Sequence, residues 1–398
     1  MSRRPRWLVP LCLASLLWAF SFGVNAPLAS LWMQGAGCGD TLIGLNTGAY
    51  YLGIALAAGA VPWLMRRWGR RVLLLGMIAS GVTAAAFPWG GGLFGWFMLR
   101  VLNGVAAAVS LIPLETYVNR NSAPERRAQA FGYYAFCVAL GMALGTLAGL
   151  QTFPLAPRIA FLLGGAAALL GAVVVLTWRP AFPADAEEVR GPTPLEFGRN
   201  FLSFGSAWSQ GFLEGGMVAL LPIYLLSTGL SAGAVSWLMS GLMVGVILAQ
   251  VPVAWLADRL GRLAVLAGCN AVALGGIACL LVPAGTAWLA LWLFAVGACS
   301  GAFYPLGLAL LGERLPPAGL ARANAWFLAI NCAGSLTGPV VAGAIMDLFG
   351  RGAMFLAGGG AVGLVLALWG LAALAGRARA GSGAALPDKA EGPQHRAA

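Results

Sequence analysis

Two ionisable side chains fall deep inside long apolar runs of a chain that is 60% hydrophobic and only 9% charged: Glu214, in WSQGFLEGGMVALL, and Arg100, in WFMLRVLNG. A carboxyl group in such a setting is costly to ionise, so it suits reversible proton uptake, and a cation facing it would tune that exchange by attraction. Glu214 is therefore the candidate protonatable group and Arg100 its electrostatic partner. The competing reading is a static buried ion pair. Gln210 stands one helical turn before Glu214 on the same face, and Asn103 nearly one turn beyond Arg100. Together with Asn25, Ser300 and Tyr304, these polar residues are candidates to line a substrate cavity. Interhelical hydrogen bonding is the competing use for each.

Other chemistries lack material. Lys389 is the single lysine and His395 the single histidine, both close to the C-terminus. A phosphate-binding loop of the Gly-Lys-Ser/Thr kind is thus absent, and neither a zinc site nor a histidine base can be assembled within the apolar runs. The seven cysteines lie mostly within those runs, with Cys38 in a connection, so no disulfide framework is implied. No cofactor and no metal are expected.

Positioning these groups requires membrane-spanning helices. Apolar runs of about 20 residues recur along the whole chain, the length that crosses a bilayer as a helix, whereas alternating segments of about 10 residues are missing. Twelve spans are read, at 8–33, 41–64, 72–89, 93–117, 129–151 and 158–178, then 201–226, 232–257, 263–283, 287–311, 324–346 and 353–375. The fold class is an all-α polytopic membrane protein with twelve transmembrane helices in two six-helix bundles. Residues 1–178 form one bundle, 179–199 a proline-rich linker, 200–376 the second bundle, and 377–398 a disordered tail. At about 1.5 Å per residue, Arg100 lies about 11 Å from one end of span 4 and Glu214 about 20 Å from the opposite-facing end of span 7. In a core of about 30 Å, the two come to similar depth.

The net charge of +11 is distributed by topology. Of the 24 lysines and arginines, 21 fall at the termini and on alternate connections, leaving Arg158 and Arg351 on the other face and Arg100 within a span. This positive-inside bias places both termini and the linker in the cytoplasm and gives no reason to expect a nucleic-acid partner. The N-terminal SRRPRWL, its apolar run and VNA at 24–26 also resemble a cleavable signal, but removal would leave eleven spans and unmatched halves.

The halves do match. WLADRLGR at 255–262 repeats WLMRRWGR at 63–70, RANAW at 322–326 repeats RAQAF at 127–131, Gly301 repeats Gly104, and Glu313 repeats Glu115, at offsets of 192 to 198. Two parallel six-span repeats are the symmetry of a transporter that rocks two bundles about a central site.

WLADRLGR resembles the signature loop of the major facilitator superfamily, and LRVLNG at 99–104 resembles its fourth-span motif. GGMVALLPIYLLSTGLS at 215–231, the run from Phe303 to Gly343, and LETYVNRNSAPERRA at 114–128 are most similar to the bacterial YcaD-like group of transporters. The resemblance implies that spans 1, 4, 7 and 10 line a cavity in which Glu214 and Arg100 face each other. It also implies a protein of the bacterial cytoplasmic (inner) membrane. Within the loop, the acid Asp258 would latch the halves near Gln129 at the start of span 5. The first-half copy carries Arg66 in place of that acid, so its latch is in doubt.

Physical chemistry adds to the loop. Gly69 and Gly261 suit a tight backbone turn, and Arg259, Arg262, Arg70 and Arg71 can hold helix ends at the lipid phosphates. Glu115 is expected to pair with Arg70 or Arg71, and Glu313 with Arg262. These pairs are gating candidates. The glycine stripes Gly141, Gly145 and Gly149, and Gly334, Gly338 and Gly343, suit close helix packing. The function read is secondary active transport of a small solute by alternating access, proton-coupled through Glu214, by a monomer in contact with lipid. A membrane-embedded enzyme using Glu214, or a non-transporting sensor on the same scaffold, are the alternatives.

Overall fold

The computed structural model describes residues 7–122, 127–178, 196–282, 285–315 and 317–383, and every regular element among them is helical. Twelve helices are long and apolar enough to cross a membrane. Spans 1 to 6 are Leu8–Gly35, Asp40–Ala58, Arg70–Trp89, Leu93–Val118, Gly132–Thr152 and Pro157–Trp178. Spans 7 to 12 are Phe201–Ser227, Ala232–Leu260, Arg262–Leu280, Thr286–Arg314, Ala323–Phe349 and Arg351–Leu374. All twelve expected spans are present, in two halves of six.

Two boundaries differ from expectation. Span 2 stops at Ala58, and its remainder forms a separate short helix, Val61–Trp68. Pro62 occupies the first turn of that helix, where its missing N–H is harmless, whereas it could not donate back to Ala58 within a continuous one. At the other end, span 12 continues as helix to Gly383, so Arg377 to Gly383 belong to the helix and not to the tail. The arginines and alanines of that stretch are good helix formers. Most of the expected linker and the rest of the tail lie outside the described residues.

A single glycine joins two helices in each copy of the signature loop. Trp68 and Arg70 flank Gly69, with φ 52°, and Leu260 and Arg262 flank Gly261, with φ 90°. One residue must reverse the chain there, and a side chain on it would be strained by about 1–3 kcal/mol. Gly261→Ala is accordingly expected to lower the melting temperature of the purified protein, while an alanine at Gly268, which meets open space within span 9, leaves it unchanged. Equal melting of the two variants would remove the argument.

Each half is held by seams of glycine against backbone. On span 5, a Cβ at Gly141 or Gly145 would collide with the carbonyl oxygens of Leu16 and Phe20 on span 1, and Gly149 faces Val24. The second half repeats the arrangement: Gly334 and Gly338 of span 11 abut the carbonyls of Trp208 and Phe212 on span 7. Spans 2 and 4 close in the same way through Gly53 and Gly104, and spans 8 and 10 through Gly245 and Gly297. Helices at this distance gain dispersion contacts along the whole seam, which is what drives association where lipid is as apolar as the side chains. Gly104 lies in the fourth-span motif, so the residue that lets span 2 approach also sets Arg100 beside it.

Candidate functional site

The span 7 and span 11 seam carries a polar chain. Gln210 donates from Nε2 to Glu214 Oε2 at 3.4 Å, and Asn331 Nδ2 donates to Gln210 Oε1 at 3.1 Å and to the Ala207 carbonyl at 2.9 Å. Asn331 thereby fixes which end of the Gln210 amide points at the carboxylate, because an oxygen engaged by Asn331 leaves the nitrogen for Glu214. Among the described residues no cation lies within ion-pair distance of Glu214.

Arg100 occupies the facing half. It is 3% exposed, and among the described residues no carboxylate pairs with it. Its guanidinium carbon lies 5.3 Å from the Tyr50 ring centroid, and Tyr50 packs edge-on against Tyr51 at 5.2 Å. Arg100 is thus a buried cation held over an aromatic ring of span 2, in the half that does not carry Glu214. A desolvated cation over an aromatic ring is stabilised by about 2 kcal/mol, which offsets part of the cost of burying Arg100.

Tyr304 packs on Phe327 at 4.9 Å, and Ser300 donates only to its own helix, at Gly297. Asn25 and Asn103 lie inside the first half. With Arg100, Thr83 and Phe87 they border a small cavity there, where Asn103 donates to Thr83 Oγ1 at 2.8 Å and to the Ser80 carbonyl at 3.3 Å. Asn25 donates to the Ser21 carbonyl of its own helix, while among the described residues its Oδ1 and Arg100 Nε, an acceptor and a donor, have no hydrogen-bond partner.

The family model of the Major Facilitator Superfamily matches residues 11–224 and 201–394, which together take in nearly the whole chain. The chain belongs to the major facilitator superfamily. It is 25% identical to YfkF of Bacillus subtilis over 84% of this chain and 88% of that protein. It is 26% identical to YcaD of Salmonella dublin over 89% and 93%. Both are named uncharacterized MFS-type transporters. Among solved structures, a bacterial homologue of the human lysosomal transporter Spinster, in an inward-facing and occupied conformation, superposes with a TM-score of 0.73 at 16% identity, covering 92% of this chain and 96% of that one. The superfamily is one of membrane transporters, and this chain is an integral membrane protein of that kind.

The superfamily's signature loop is built differently in the two halves. Arg262 reaches Glu313 at 3.1 Å, the pairing expected, and also donates to the Ala309 carbonyl at 3.0 Å while Asp258 stands 3.9 Å away. The corresponding pair in the first half does not form. Glu115 instead accepts from Tyr134 Oη at 3.4 Å, and Arg70 and Arg71 are exposed. The reason lies in the exchanged acid: Asp258 sits one turn before Arg262 and steers it, whereas Arg66 sits one turn before Arg70 and repels it. Arg259 stacks its guanidinium 3.7 Å from the centroid of Trp255, a half-exposed tryptophan, as an interfacial anchor would. Gln129, the expected neighbour of Asp258, has no described side chain, and Asp258 itself is 71% exposed.

At the end remote from the arginine-rich loops the halves are locked. Asp347, at the end of span 11, accepts from the Asp40 and Thr41 backbone N–H groups at 2.9 and 2.7 Å and from Thr41 Oγ1 at 2.5 Å. Arg351 pairs with Asp40 at 3.1 Å. With its amide turned as these donors require, Gln34 offers its oxygen to Arg351 at 2.9 and 3.0 Å. Every hydrogen bond and ion pair described between the halves falls in this cluster. Just below it, Gly44 and Gly48 of span 2 lie against Pro339, Val340 and Leu336 of span 11.

Sequence reasoning did not single out Tyr50, Tyr51, Asn331, Asp40 or Asp347. A charge count by face carried the signal for the last two, since Arg351 is one of only two cations on that side and acids must answer it.

Proposed function

We propose that the chain is a secondary active transporter of a small solute, working by alternating access in the bacterial cytoplasmic membrane and coupled to protons through Glu214. The observations that support this reading are a membrane-embedded carboxylate, Glu214, hydrogen-bonded by Gln210 and with no cation in ion-pair distance among the described residues, and a buried arginine of the other half, Arg100, that lies over Tyr50 with no described carboxylate partner. The positive-inside bias assigns the arginine-rich loops and both termini to the cytoplasm, so the locked end faces outward and the conformation is inward-facing. Ionised, Glu214 draws Arg100 and with it the first half; protonated, it does not, and the balance between inward and outward forms shifts. The partners are the solute, the proton and surrounding lipid, and the chain acts as a monomer.

A thermal-shift screen of purified protein against metabolites and drugs identifies the cargo, since a ligand selective for the folded state raises the melting temperature. Reconstituted into sealed vesicles, the protein is expected to move such a compound between compartments unchanged. Chemical conversion of the compound would favour the enzyme reading, and binding without movement the sensor reading.

In this reading Asp258 is the inner latch, with Arg259, Arg262 and Glu313 holding its frame, while Arg70, Arg71 and Glu115 take a lesser part; the Arg262 and Glu313 pair in the second half, which has no described counterpart at Arg70 or Arg71, supports that asymmetry. Asp258→Asn is expected to slow initial transport about fivefold, as loss of about 1 kcal/mol from one state would, and Arg66→Asn to change it by less than about twofold. Equal losses in both variants would remove the asymmetry.

A further inference from the structure

We propose that Asp347 is the gating residue of the end remote from the arginine-rich loops, acting as a helix cap that one half supplies to the other. Span 2 begins after Gly39, a residue with no side chain to bond its own first N–H groups. The equivalent helix of the second half, span 8, begins after Ser231, whose Oγ accepts from Ala234 N at 3.2 Å. Span 8 therefore caps itself, and span 2 does not. Its cap comes from span 11: the two Asp347 oxygens take the N–H groups of Asp40 and Thr41, and the Thr41 hydroxyl.

The surroundings are shaped to that contact. A Cβ at Gly39 would stand 3.2 Å from Asp347 Oδ2, so glycine leaves room for the foreign carboxylate. The positive end of the span 2 dipole favours a negative group there. Arg351, itself held by the Gln34 amide oxygen, then balances the second carboxylate, Asp40, which the cap would otherwise repel. When the halves part at this end, span 2 loses its only described cap and exposes its first donors. The closed form is favoured by the worth of a cap, about a tenfold bias, and span 8 contributes nothing comparable.

The inference rests on the alternating-access reading for its consequence, and one experiment separates the two. The full chain keeps Cys332 as its one cysteine, the other six being replaced by alanine, and a membrane-impermeant maleimide is offered from each side of the membrane in turn. Asp347→Ala is expected to speed labelling from the remote side about tenfold and to slow it from the arginine-rich side. A rise on one side with no fall on the other keeps the gate and overturns the rocking of the halves. No rise overturns the gate. The double variant Asp347→Ala with Gly39→Ser gives span 2 a cap of its own, so it restores melting temperature while labelling stays fast; slow labelling in a double variant that melts like the parent shows Asp347 to be structural only and overturns the proposal.

Discussion

In reconstituted vesicles carrying a pH gradient, Glu214→Gln is expected to abolish net gradient-driven movement of the solute while leaving exchange of labelled for unlabelled solute in place. The substitution keeps the shape of the side chain and its acceptor for Gln210, which stands 3.4 Å away, so the polar chain through Asn331 survives. What is lost is the ability to gain and release a proton, and with it the switchable attraction toward Arg100. With one proton per solute, a gradient of about two pH units supports up to about 100-fold accumulation, a free energy of about 2.7 kcal/mol, and the variant should fall to about onefold. Exchange needs only the reorientation of loaded protein and no net proton movement. Full accumulation in the variant would show that Glu214 does not couple. Loss of exchange as well would place Glu214 in solute binding, and the proton would then need another carrier.

The second large effect concerns packing. Gly334→Val should destabilise the protein by about 3 kcal/mol or more, beyond the usual cost of overpacking, because both surfaces of the seam are backbone. A Cβ at Gly334 would overlap the Trp208 carbonyl oxygen and stand 2.9 Å from Phe212 N, and neither can rotate away. Opposite it, a Cβ at Gly211 would likewise collide with the Asn331 carbonyl oxygen and stand 2.8 Å from Ser335 Oγ, so span 11 can only move off span 7. The Asn331 bonds to Ala207 and Gln210 would break with that movement. A purified Gly334→Val protein is thus expected to melt well below the parent and to lose the ligand-induced rise in melting temperature. Parental melting would mean that the seam is more compliant than its contacts imply.

The architecture was legible because bilayer thickness imposes a strong period on the chain, and short connections leave few alternatives. Gly69 and Gly261 were legible for the same reason: a short connection leaves a glycine to carry the turn between two helices. The Arg262 and Glu313 pair followed from the repeat, but the same repeat misled at Arg70, where pseudo-symmetry maps positions and not the charge of the neighbour one turn earlier. Asn331 was not legible. It meets Gln210 across 121 positions of sequence, through a seam whose rotation about the helix axis no local pattern reports. Tyr50 and Tyr51 were not legible either, because their place beside Arg100 depends on the close approach of span 2 to span 4 at Gly104.

The contact that must open in each cycle, between spans 2 and 11, is lined by Gly44, Gly48 and Gly343 against backbone. Glycine has no rotamers to freeze, and a peptide plane has none either. Docking these two surfaces therefore orders few side chains, and separating them releases few. The step rides on a nearly level conformational-entropy landscape, which leaves its direction to be decided by a handful of charges and one solute.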